Sequence, residues 1–535
     1  MITWRIGTAV VAAALTAALS SCAVTTPGQR NRSQAYTGPV SWLLHASTDL
    51  GAARDPEVSV VVALAGRAHP TELLGWARDH GLRVQWSAGA DWAALSGTPR
   101  GMSAAFSVRV HDYRSHTGHP FYAAQRQPAV PSALAGQVSQ VGRIVSYAPR
   151  QLASGLLADA PPNGFDPQQL ITAYRATALA AAGYTGRGST IVFFEWSPPL
   201  QADLDAFDRR AGLPSLTPTV VGRFDNPPQG AIGETEMDLE VAHAIAPQAR
   251  LVIVDANPTE GPAGTLGQRI ATMFTATEAQ FPGAVWSSSI GWGCDRDFTA
   301  ADLLPAEDAL AQAERTGGTT AFDAAGDTAG LECKGSQDYA APPQQSDVGV
   351  DAVASLPAMT SVGGTLLSTD NAGRWVAEEA WISSSASQGT GGGIDPDIAR
   401  PSWQDAQGVP AVNDSGHRLV PDVAADADPN SGVATVLQGQ PSQGGGTSQS
   451  APIWAGLTTL MDEYLQAHGG QLIGAINPML YRIARGASRP AFHDVTLGGN
   501  AVYRAALGYD PVTGLGTPVT DNLAADILDV QKGSS

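Results

Sequence analysis

The sequence predicts an α/β fold in which a small α+β domain precedes a larger, mostly parallel sheet with helices on both faces. From about residue 169 onwards, short apolar runs alternate with helical patterns, which is typical of a parallel sheet. Residues 55–147 instead contain several strand-like runs and short helical stretches that follow one another closely in sequence. Hydrophobic residues make up 43% of the chain and charged residues 15%, which is enough apolar material for a large core and too little charge for a disordered chain.

The charge balance excludes some classes of function. The 535 residues include 31 Lys+Arg and 50 Asp+Glu, so the formal net charge is -19. Nucleic-acid binders hold phosphates with clustered basic side chains, so we expect no nucleic-acid partner. Lys334 and Lys532 are the only lysines, and neither is followed by Ser or Thr, which excludes a Walker A phosphate loop.

The first residues predict export. Residues 6–21 carry no charge and follow Arg5, but they fall short of the roughly 20 residues of a membrane-spanning helix, so we assign 1–21 as a signal peptide. The stretch ends in Leu-Ser-Ser-Cys22, which resembles a bacterial lipoprotein signal, and an ordinary secretory signal is the alternative. We expect a chain that is secreted or lies on the outer face of the cell membrane, touching the membrane only through a lipid on Cys22.

Two cysteines remain if Cys22 carries lipid. In an oxidising compartment, Cys294 and Cys333 indicate a disulfide, and two buried free thiols are the alternative.

The small domain follows a tether, which we place at 22–54. Its elements are predicted from apolar alternation and helical periodicity. They are strands at Val58–Leu64, Leu82–Trp86, Trp92–Ser96 and Val108–Tyr113, and a helix at Pro70–His80. We expect one small sheet with helices on one face. A linker at 148–168 contains Pro-Pro-Asn-Gly, a break in composition.

The large domain is placed at 169–530. Its predicted strands are Thr190–Glu195, Arg250–Asp255, Val285–Ile290, Thr319–Asp323 and Met359–Val362. Its predicted helices are Pro167–Ala182, Leu200–Arg210, Glu236–Ile245, Gly264–Gln280 and Leu303–Arg315. Ligands of such sheets bind at the carboxyl ends of the strands, so we expect a site made of strand ends and loops.

Ser448 is the candidate nucleophile. It follows Gly-Gly-Gly-Thr and precedes the apolar helix Ile453–Leu465. A glycine-rich turn allows a substrate to approach the backbone, and N–H groups at a helix start stabilise negative charge. A plain helix N-cap is the alternative.

A serine nucleophile needs a base, and the sequence offers two. His243 lies in a helix but lacks the glycine-rich setting of subtilisin-like enzymes, so we interpret it as a helix-surface residue. Glu234 and Asp238 are four residues apart at a helix start and project from one face. Two touching carboxyls cannot both ionise readily, so the pair titrates as a unit in acid and could accept the serine proton. The alternative is a solvated cap favoured by the helix dipole.

Asp327 lies in the glycine turn 325–330 after a predicted strand. Such an acid is usually a turn residue. Near Ser448, however, it could stay protonated and donate a hydrogen bond to an oxyanion.

Together these motifs resemble the sedolisin family of serine-carboxyl peptidases, and its kumamolisin-like members in particular. The family's Glu-x-x-x-Asp motif matches Glu234 and Asp238, as base and supporting acid. Its Gly-Asp turn matches Asp327, in the oxyanion hole, and its Gly-Thr-Ser-x-x-x-Pro motif matches Ser448 and Pro452. Gly445 stands where a Ser is often found, and Thr328 interrupts the usual turn.

The resemblance also implies supporting features. It implies that the large domain has a subtilisin-like sheet and that Glu195 and Trp292 extend the proton network. It implies that Cys294 pairs with Cys333. Residues 55–147 resemble the ferredoxin-like pro-domain, which inhibits the enzyme and aids its folding, although here it is shorter than usual.

A calcium site is implied in the same way. Residues 492–496 and 506–516 resemble the family's Ca²⁺ site, with the side chains of Asp494 and Asp510 and the carbonyls of Val495, Ala506 and Gly508 as ligands. Ca²⁺ prefers several oxygen ligands, which this set provides.

The resemblance therefore implies an exported zymogen of an acid-acting serine-carboxyl endopeptidase that cleaves proteins or peptides through an acyl-enzyme. Two alternatives stay open: a His-based subtilisin-like hydrolase, and a catalytically silent surface lipoprotein that retains the fold.

Overall fold

The structure is a computed structural model. It describes residues 33–36, 39–115, 118–147, 151–152, 164–224, 227, 231, 233–257, 264–334, 344–383, 388–405, 416–486 and 488–533. The predicted signal peptide, Cys22 and most of the predicted linker lie outside these residues. Among the helices that are described, none is both long and apolar enough to cross a membrane.

Within its described residues, the N-terminal domain contains seven strands and three α-helices. The strands are β1 (Thr48–Ala52), β2 (Val58–Leu64), β3 (Arg83–Gln85), β4 (Trp92–Gly97), β5 (Val110–Arg114), β6 (Pro120–Ala124) and β7 (Val138–Val141). The helices are α1 (Pro39–Ala46), α2 (Thr71–Asp79) and α3 (Pro99–Phe106).

These strands form two antiparallel sheets where the sequence predicts one. The order β3-β4-β2-β7 makes the first sheet and β1-β5-β6 the second. Leu73 of α2 and Met102 of α3 are fully buried against the first sheet. The predicted tether at 22–54 also differs from the structure, because α1 and β1 lie within it and β1 pairs with β5. The sequence of β1 is half polar, so it does not predict a strand by itself, and β1 is defined by its pairing with β5.

The large domain contains the remaining elements. Its strands are β8 (Gln151–Leu152), β9 (Thr190–Glu195), β10 (Thr219–Val221), β11 (Arg250–Asp255), β12 (Val285–Ser288), β13 (Ile290–Gly291), β14 (Thr320–Ala324), β15 (Thr360–Thr369), β16 (Trp375–Ala380), β17 (Gly393–Ala399), β18 (His417–Val420), β19 (Val423–Asp426), β20 (Ala434–Leu437), β21 (Gln440–Gln443), β22 (Phe492–His493) and β23 (Thr517–Pro518). Its helices are α4 (Pro167–Ala173), α5 (Thr177–Ala181), α6 (Gln201–Ala211), α7 (Glu234–Ile245), α8 (Leu266–Gln280), α9 (Ala300–Gly317), α10 (Thr447–Ala467), α11 (Ile476–Gly486) and α12 (Thr520–Gln531).

An eight-stranded sheet organises this domain. Its order is β10-β11-β9-β12-β14-β15-β16, with β19 also paired to β15. All of these pairings are parallel except that of β15 with β16. Alternate residues of β9 face opposite cores: Ile191 and Phe193 join the core that contains α7 and α10, while Val192 and Phe194 join the core that contains α8 and α9. The predicted fold class is therefore confirmed.

Two predicted elements are divided in the structure. The predicted helix Pro167–Ala182 is broken into α4 and α5, and Arg175 between them has a φ of 56°. The predicted strand Val285–Ile290 ends at Ser288, and β13 turns away to pair with β8. Both breaks depend on contacts distant in sequence, which periodicity does not report.

The N-terminal domain docks on the large one beside the start of α9. The backbone N–H of Arg143 donates to Oδ1 of Asp302 at 2.8 Å, and the N–H of Ala301 donates to Oε1 of Gln140 at 3.1 Å. The N–H of Ala301 lies in the first turn of α9 and has no acceptor within the helix, so Gln140 supplies one.

Candidate active site

The candidate residues meet at the carboxyl ends of the central strands. Glu195 is the last residue of β9, Ser289 directly follows β12, and Asp327 lies in the turn after β14. The helices α7 and α10 begin at the same edge with Glu234 and Thr447. The parallel sheet therefore brings together groups that are far apart in sequence, as expected for this class of fold.

Ser448 lies in the first turn of α10 and is completely buried. The N-cap of this helix is Gly446, whose φ of 79° suits glycine and which has no side chain to cap the helix. Ser448 is therefore not the N-cap residue that the sequence left as an alternative. Within the described chain its hydroxyl makes no hydrogen bond of good geometry, yet it lies close enough to Glu234 to lower the pKa of that carboxyl.

Glu234 and Asp238 are both buried, with 6% and 0% of their surfaces exposed. Burial and the neighbouring Asp238 charge raise the pKa of Glu234 well above its usual value, and Asp327 adds to the effect. A solvated cap, the alternative for these acids, is wrong, because every residue of α7 is buried. Such a pair holds protons far more tightly than two exposed carboxyls would.

Asp238 is linked to two further groups. The Ser289 hydroxyl donates to Oδ2 of Asp238 at 2.6 Å, and Asp238 and Glu195 share a side-chain hydrogen bond. The Thr235 hydroxyl lies 3.1 Å from Oε2 of Glu195. Burial raises the pKa of Glu195 and of Asp238 well above the usual range, and the charge of Glu234 raises that of Glu195 further. Asp238 is therefore hydrogen-bonded to Glu195 and acts on Glu234 through its charge, so the three carboxyls form a chain of interacting groups.

Asp327 lies close enough to Glu234 for its charge to raise the pKa of that carboxyl. The N–H and the hydroxyl of Thr447 both donate to Oδ1 of Asp327 at 2.8 Å. Its Oδ2 is buried and has no partner in the described part of the structure. Burial raises the pKa of Asp327 to about 6, against the lowering effect of the Thr447 bonds. A carboxylic acid with one free oxygen beside a serine is suited to donate a hydrogen bond to an oxyanion.

Trp292 does not join this chain as the resemblance implied. Its indole Nε1 donates to Oγ of Ser288 at 3.4 Å, and the indole lies close enough to Asp323 to lower the pKa of that carboxyl. No hydrogen bond between Trp292 and Glu195 is found among the described residues. The part in the proton network that the resemblance implied for Trp292 is therefore corrected, since the indole lies next to Ser288 and Asp323.

Sequence reasoning missed Asp323 although a signal was present. It is an acid inside the buried strand Thr-Ala-Phe-Asp-Ala, and it is 0% exposed. Acids are rarely fully buried unless they are paired, so one in a central parallel strand should have raised the question of its partner.

His243 was predicted on the helix surface, and this is wrong. It is only 2% exposed, its Nε2 donates to the Pro214 carbonyl at 2.8 Å, and Oδ1 of Asp208 lies 3.3 Å from the same nitrogen. These partners lie on and after α6, so the ring is held away from Ser448. Helical periodicity could not detect α6 covering this face.

Cys294 and Cys333 form a disulfide with a Cα–Cα distance of 4.8 Å. The bond joins the loop after β13 to the loop that carries Asp327. Free thiols, the alternative from the sequence, are therefore not what the structure has.

The five predicted calcium ligands lie on neighbouring loops. The N–H of Gly508 donates to Oδ2 of Asp494 at 2.9 Å, and the N–H of Ala506 donates to Oδ2 of Asp510 at 3.0 Å. Burial raises the pKa of Asp510 to about 6. Among the described residues, no hydrogen bond ends on the carbonyls of Val495, Ala506 or Gly508. Two carboxylates and three free carbonyls fit a hard cation with oxygen ligands.

Comparisons with known proteins indicate the family of the chain. Residues 65–147 match the model of the pro-kumamolisin activation domain. The chain is 30% identical over 485 residues to kumamolisin from Bacillus sp. (strain MN-32), covering 85% of this chain and 82% of that protein. It is 30% identical over 391 residues to sedolisin from Pseudomonas sp. (strain 101), covering 70% of this chain and 63% of that protein.

A solved structure shares the fold. Pseudomonas sedolisin, a serine-carboxyl proteinase complexed with two molecules of pseudo-iodotyrostatin, superposes with a TM-score of 0.57 at 25% identity. The match covers 70% of this chain and 100% of that one.

Proposed function

The chain belongs to the sedolisin family of serine-carboxyl peptidases and carries the family's activation domain, and on this premise we propose that it is an exported, acid-acting endopeptidase made as a zymogen. The observation that carries the proposal is the position of Ser448: its hydroxyl lies beside Glu234, and the residue before it, Thr447, is bonded to Asp327.

In the proposed reaction Glu234 accepts the proton of Ser448 as Oγ attacks a peptide carbonyl. Asp238, hydrogen-bonded by Ser289 and Glu195, keeps the shared protons in place while Glu234 gains the serine proton and loses its negative charge. The carboxyls are buried, so they do not exchange these protons freely with water. The result is an acyl-enzyme on Ser448, which water then hydrolyses with the same groups acting in reverse.

Two donors would stabilise the tetrahedral oxyanion. Protonated Asp327 offers Oδ2, since its Oδ1 is already held by Thr447. The backbone N–H of Ser448 lies in the first turn of α10, where N–H groups have no helical acceptor. Asp327 donates only while protonated, which is why we propose that the enzyme acts in acid.

Autoinhibition has a structural basis in β8. Gln151 and Leu152, just after the N-terminal domain, pair antiparallel with Gly291 and Ile290 of β13 beside the site. An extended peptide on this strand occupies the place where a substrate would pair. We therefore expect the zymogen to cleave itself within the linker 148–168 when it is acidified.

A direct experiment tests the function. Purified wild-type chain and Ser448→Ala are incubated from pH 3 to pH 8 and analysed by mass spectrometry for cleavage in the linker. Peptides with free and with acetylated N-termini are then offered to the processed enzyme. We expect self-cleavage and hydrolysis of both peptides by the wild type in acid only. Cleavage of unblocked peptides alone would indicate release of short N-terminal fragments, and no cleavage would indicate a silent protein.

The His-based alternative has its own discriminating variant. His243→Gln should leave peptidase activity intact, because its ring is bonded to Pro214 and not to Ser448. Loss of activity in a correctly folded His243→Gln protein would favour that alternative.

We also propose that Ca²⁺ binds at the loops carrying Asp494 and Asp510. The ion would supply positive charge that fixes these loops, with no part in bond cleavage. Chelation should lower the unfolding temperature of the Ser448→Ala chain, added Ca²⁺ should restore it, and Asp510→Asn should abolish the response. An identical response in Asp510→Asn would place the ion elsewhere.

Export and lipidation complete the proposal. Residues 1–21 would direct secretion, and lipid on Cys22 would retain the protein at the outer face of the membrane. Cys22→Ala should move the protein from the membrane fraction to the medium. If wild type and variant partition alike, the lipid anchor is wrong.

A further inference from the structure

A second pair of buried carboxyls lies outside the proposed machinery. Asp323 in β14 is 0% exposed, and Asp351, which forms a bridge with Cys294, is 1% exposed. Their charges act on each other, and burial raises the pKa of both, that of Asp351 to about 7.

Asp351 accepts hydrogen bonds on both of its oxygens. Oδ2 accepts the N–H groups of Trp292 at 2.6 Å and Gly293 at 3.2 Å, and Oδ1 accepts those of Val353 at 2.9 Å and Ala354 at 3.0 Å. These four hydrogen bonds use the acceptor capacity of both oxygens and oppose the rise in pKa that burial causes.

Asp323 has a different environment. Both of its carboxyl oxygens are buried and make no hydrogen bond of good geometry among the described residues, and burial followed by the charge of Asp351 raises its pKa well above the usual value. Two carboxyls this deeply buried cannot both ionise readily, so Asp323 is the one that keeps a proton. Glu332 is a further acid nearby, with its pKa raised to about 8 by burial and by Asp351, and its carboxyl accepts the Thr328 hydroxyl at 2.7 Å.

The backbone that Asp351 holds is the continuation of β13. This strand ends at Gly291 and pairs with the extended residues Gln151 and Leu152. Its neighbours Trp292 and Gly293 are both bonded to one carboxylate oxygen. The position of β13 therefore depends on Asp351.

We propose that Asp351, supported by neutral Asp323, is a positioning residue that holds β13 as the template on which an extended peptide substrate pairs. Neither residue takes part in the chemical step. The inference rests on the proposed peptidase function and adds to it a determinant of substrate affinity.

The kinetic test compares variants of the processed enzyme on a long peptide. Asp351→Asn turns one acceptor oxygen into a donor, so two backbone N–H groups lose their partner, and we expect KM to rise about tenfold. The value of kcat should stay within about threefold of the wild type, because β13 aligns the substrate and the reacting groups are untouched. A fall in kcat at unchanged KM would overturn the proposal.

Two substitutions of Asp323 decide the matter even if Asp351→Asn fails to fold. Asp323→Asn keeps a neutral polar side chain of the same size beside Asp351 and should leave KM nearly unchanged. Asp323→Ala removes that side chain and should raise KM several-fold. Equal KM values for both variants would overturn the role of Asp323.

A binding measurement separates this inference from the proposed function. Calorimetry with the processed large domain, made inactive by Ser448→Ala after activation in trans by wild-type enzyme, gives the affinity for the same peptide. Weaker binding upon adding Asp351→Asn supports the template role without requiring turnover. Unchanged binding would overturn it. A wild-type chain that binds the peptide but never cleaves it would contradict the proposed function alone.

Discussion

Thr447 and Asp327 are joined by two hydrogen bonds that end on the same carboxylate oxygen. The Thr447 N–H and hydroxyl both lie 2.8 Å from Oδ1 of Asp327. The Gly326 N–H in turn donates to the Thr447 hydroxyl oxygen at 3.1 Å. Because Oδ1 is occupied, a proton on Asp327 belongs on Oδ2, the oxygen that has no partner among the described residues.

This arrangement predicts the upper limit of the active pH range. Burial raises the pKa of Asp327 from 3.8 to about 6, so the donor is present below that pH and lost above it. We expect kcat/KM of the processed enzyme to fall as the pH rises through about 6. Asp327→Asn is always neutral, so its profile should lose this limb, with a maximum about tenfold to a hundredfold lower. If kcat/KM of Asp327→Asn still falls at the same pH, the fall is due to the ionisation of another group.

Glu234→Gln should nearly abolish activity. The amide cannot take the Ser448 proton, so kcat should fall by about 10² to 10⁴. Glu240→Gln is the matched control, because Glu240 is a fully buried acid on the same helix whose Oε2 accepts the Val436 N–H at 2.8 Å. Steady-state assays should find near-normal kcat in the control. Equal losses in both would mean that any change in the acids of α7 disturbs the fold.

The protein should be more stable in acid than at neutral pH. Asp462 illustrates the cause: it is 2% exposed, its carboxyl accepts the Ile473 N–H at 2.9 Å, and burial raises its pKa to about 7. A raised folded-state pKa gives stability that is present below the unfolded value and is lost as the pH rises through the folded one. For Asp462 alone this amounts to on the order of 4 kcal/mol between pH 4 and pH 7.

Thermal unfolding of Ser448→Ala, which avoids self-digestion, measures this effect. Its unfolding temperature should drop between pH 4 and pH 8, and the drop should be smaller by several degrees when Asp462→Asn is added. At pH 4 the two proteins should unfold together. A larger drop in the Asp462→Asn protein would show that Asp462 is ionised and stabilising in the folded state.

Gly142→Ala should speed release of the N-terminal domain. A Cβ at Gly142 would overlap Oδ1 of Asp302 and lie 2.9 Å from the Val61 carbonyl oxygen, which displaces the adjacent bond from Arg143 to Asp302. Gly136→Ala is the control, since nothing lies within 4 Å of a Cβ there. Processing rates at acid pH should rise in the first variant only.

A second substitution checks that docking is the cause. Gln140→Ala removes the acceptor of the Ala301 N–H without crowding the N-terminal domain. It should also speed release, by a smaller factor. Normal rates in Gln140→Ala would attribute the effect of Gly142→Ala to damage within the N-terminal domain.

Some elements could be predicted with the right bounds. The strands at Val58–Leu64, Thr190–Glu195 and Arg250–Asp255 occur as expected. Each is a run of apolar, mostly β-branched or aromatic residues whose ends are marked by polar residues or turns, so local sequence is sufficient. The break at Arg175 and the turn at Ser289 are not local features. At each of these places the periodicity therefore predicted one continuous element where the structure has two.

The sequence by itself determined the fold class, which follows from periodicity, and the order of the motifs, through which the chain resembles its family. The four-residue separation of Glu234 and Asp238 is enough to place both on one face of a helix. Only the tertiary structure decided that the Trp292 indole lies next to Ser288 and Asp323, that His243 is buried against α6 and that Asp351 bonds the residues after β13. Those relationships join separate segments, and burial and hydrogen bonding exist only after such segments have packed together.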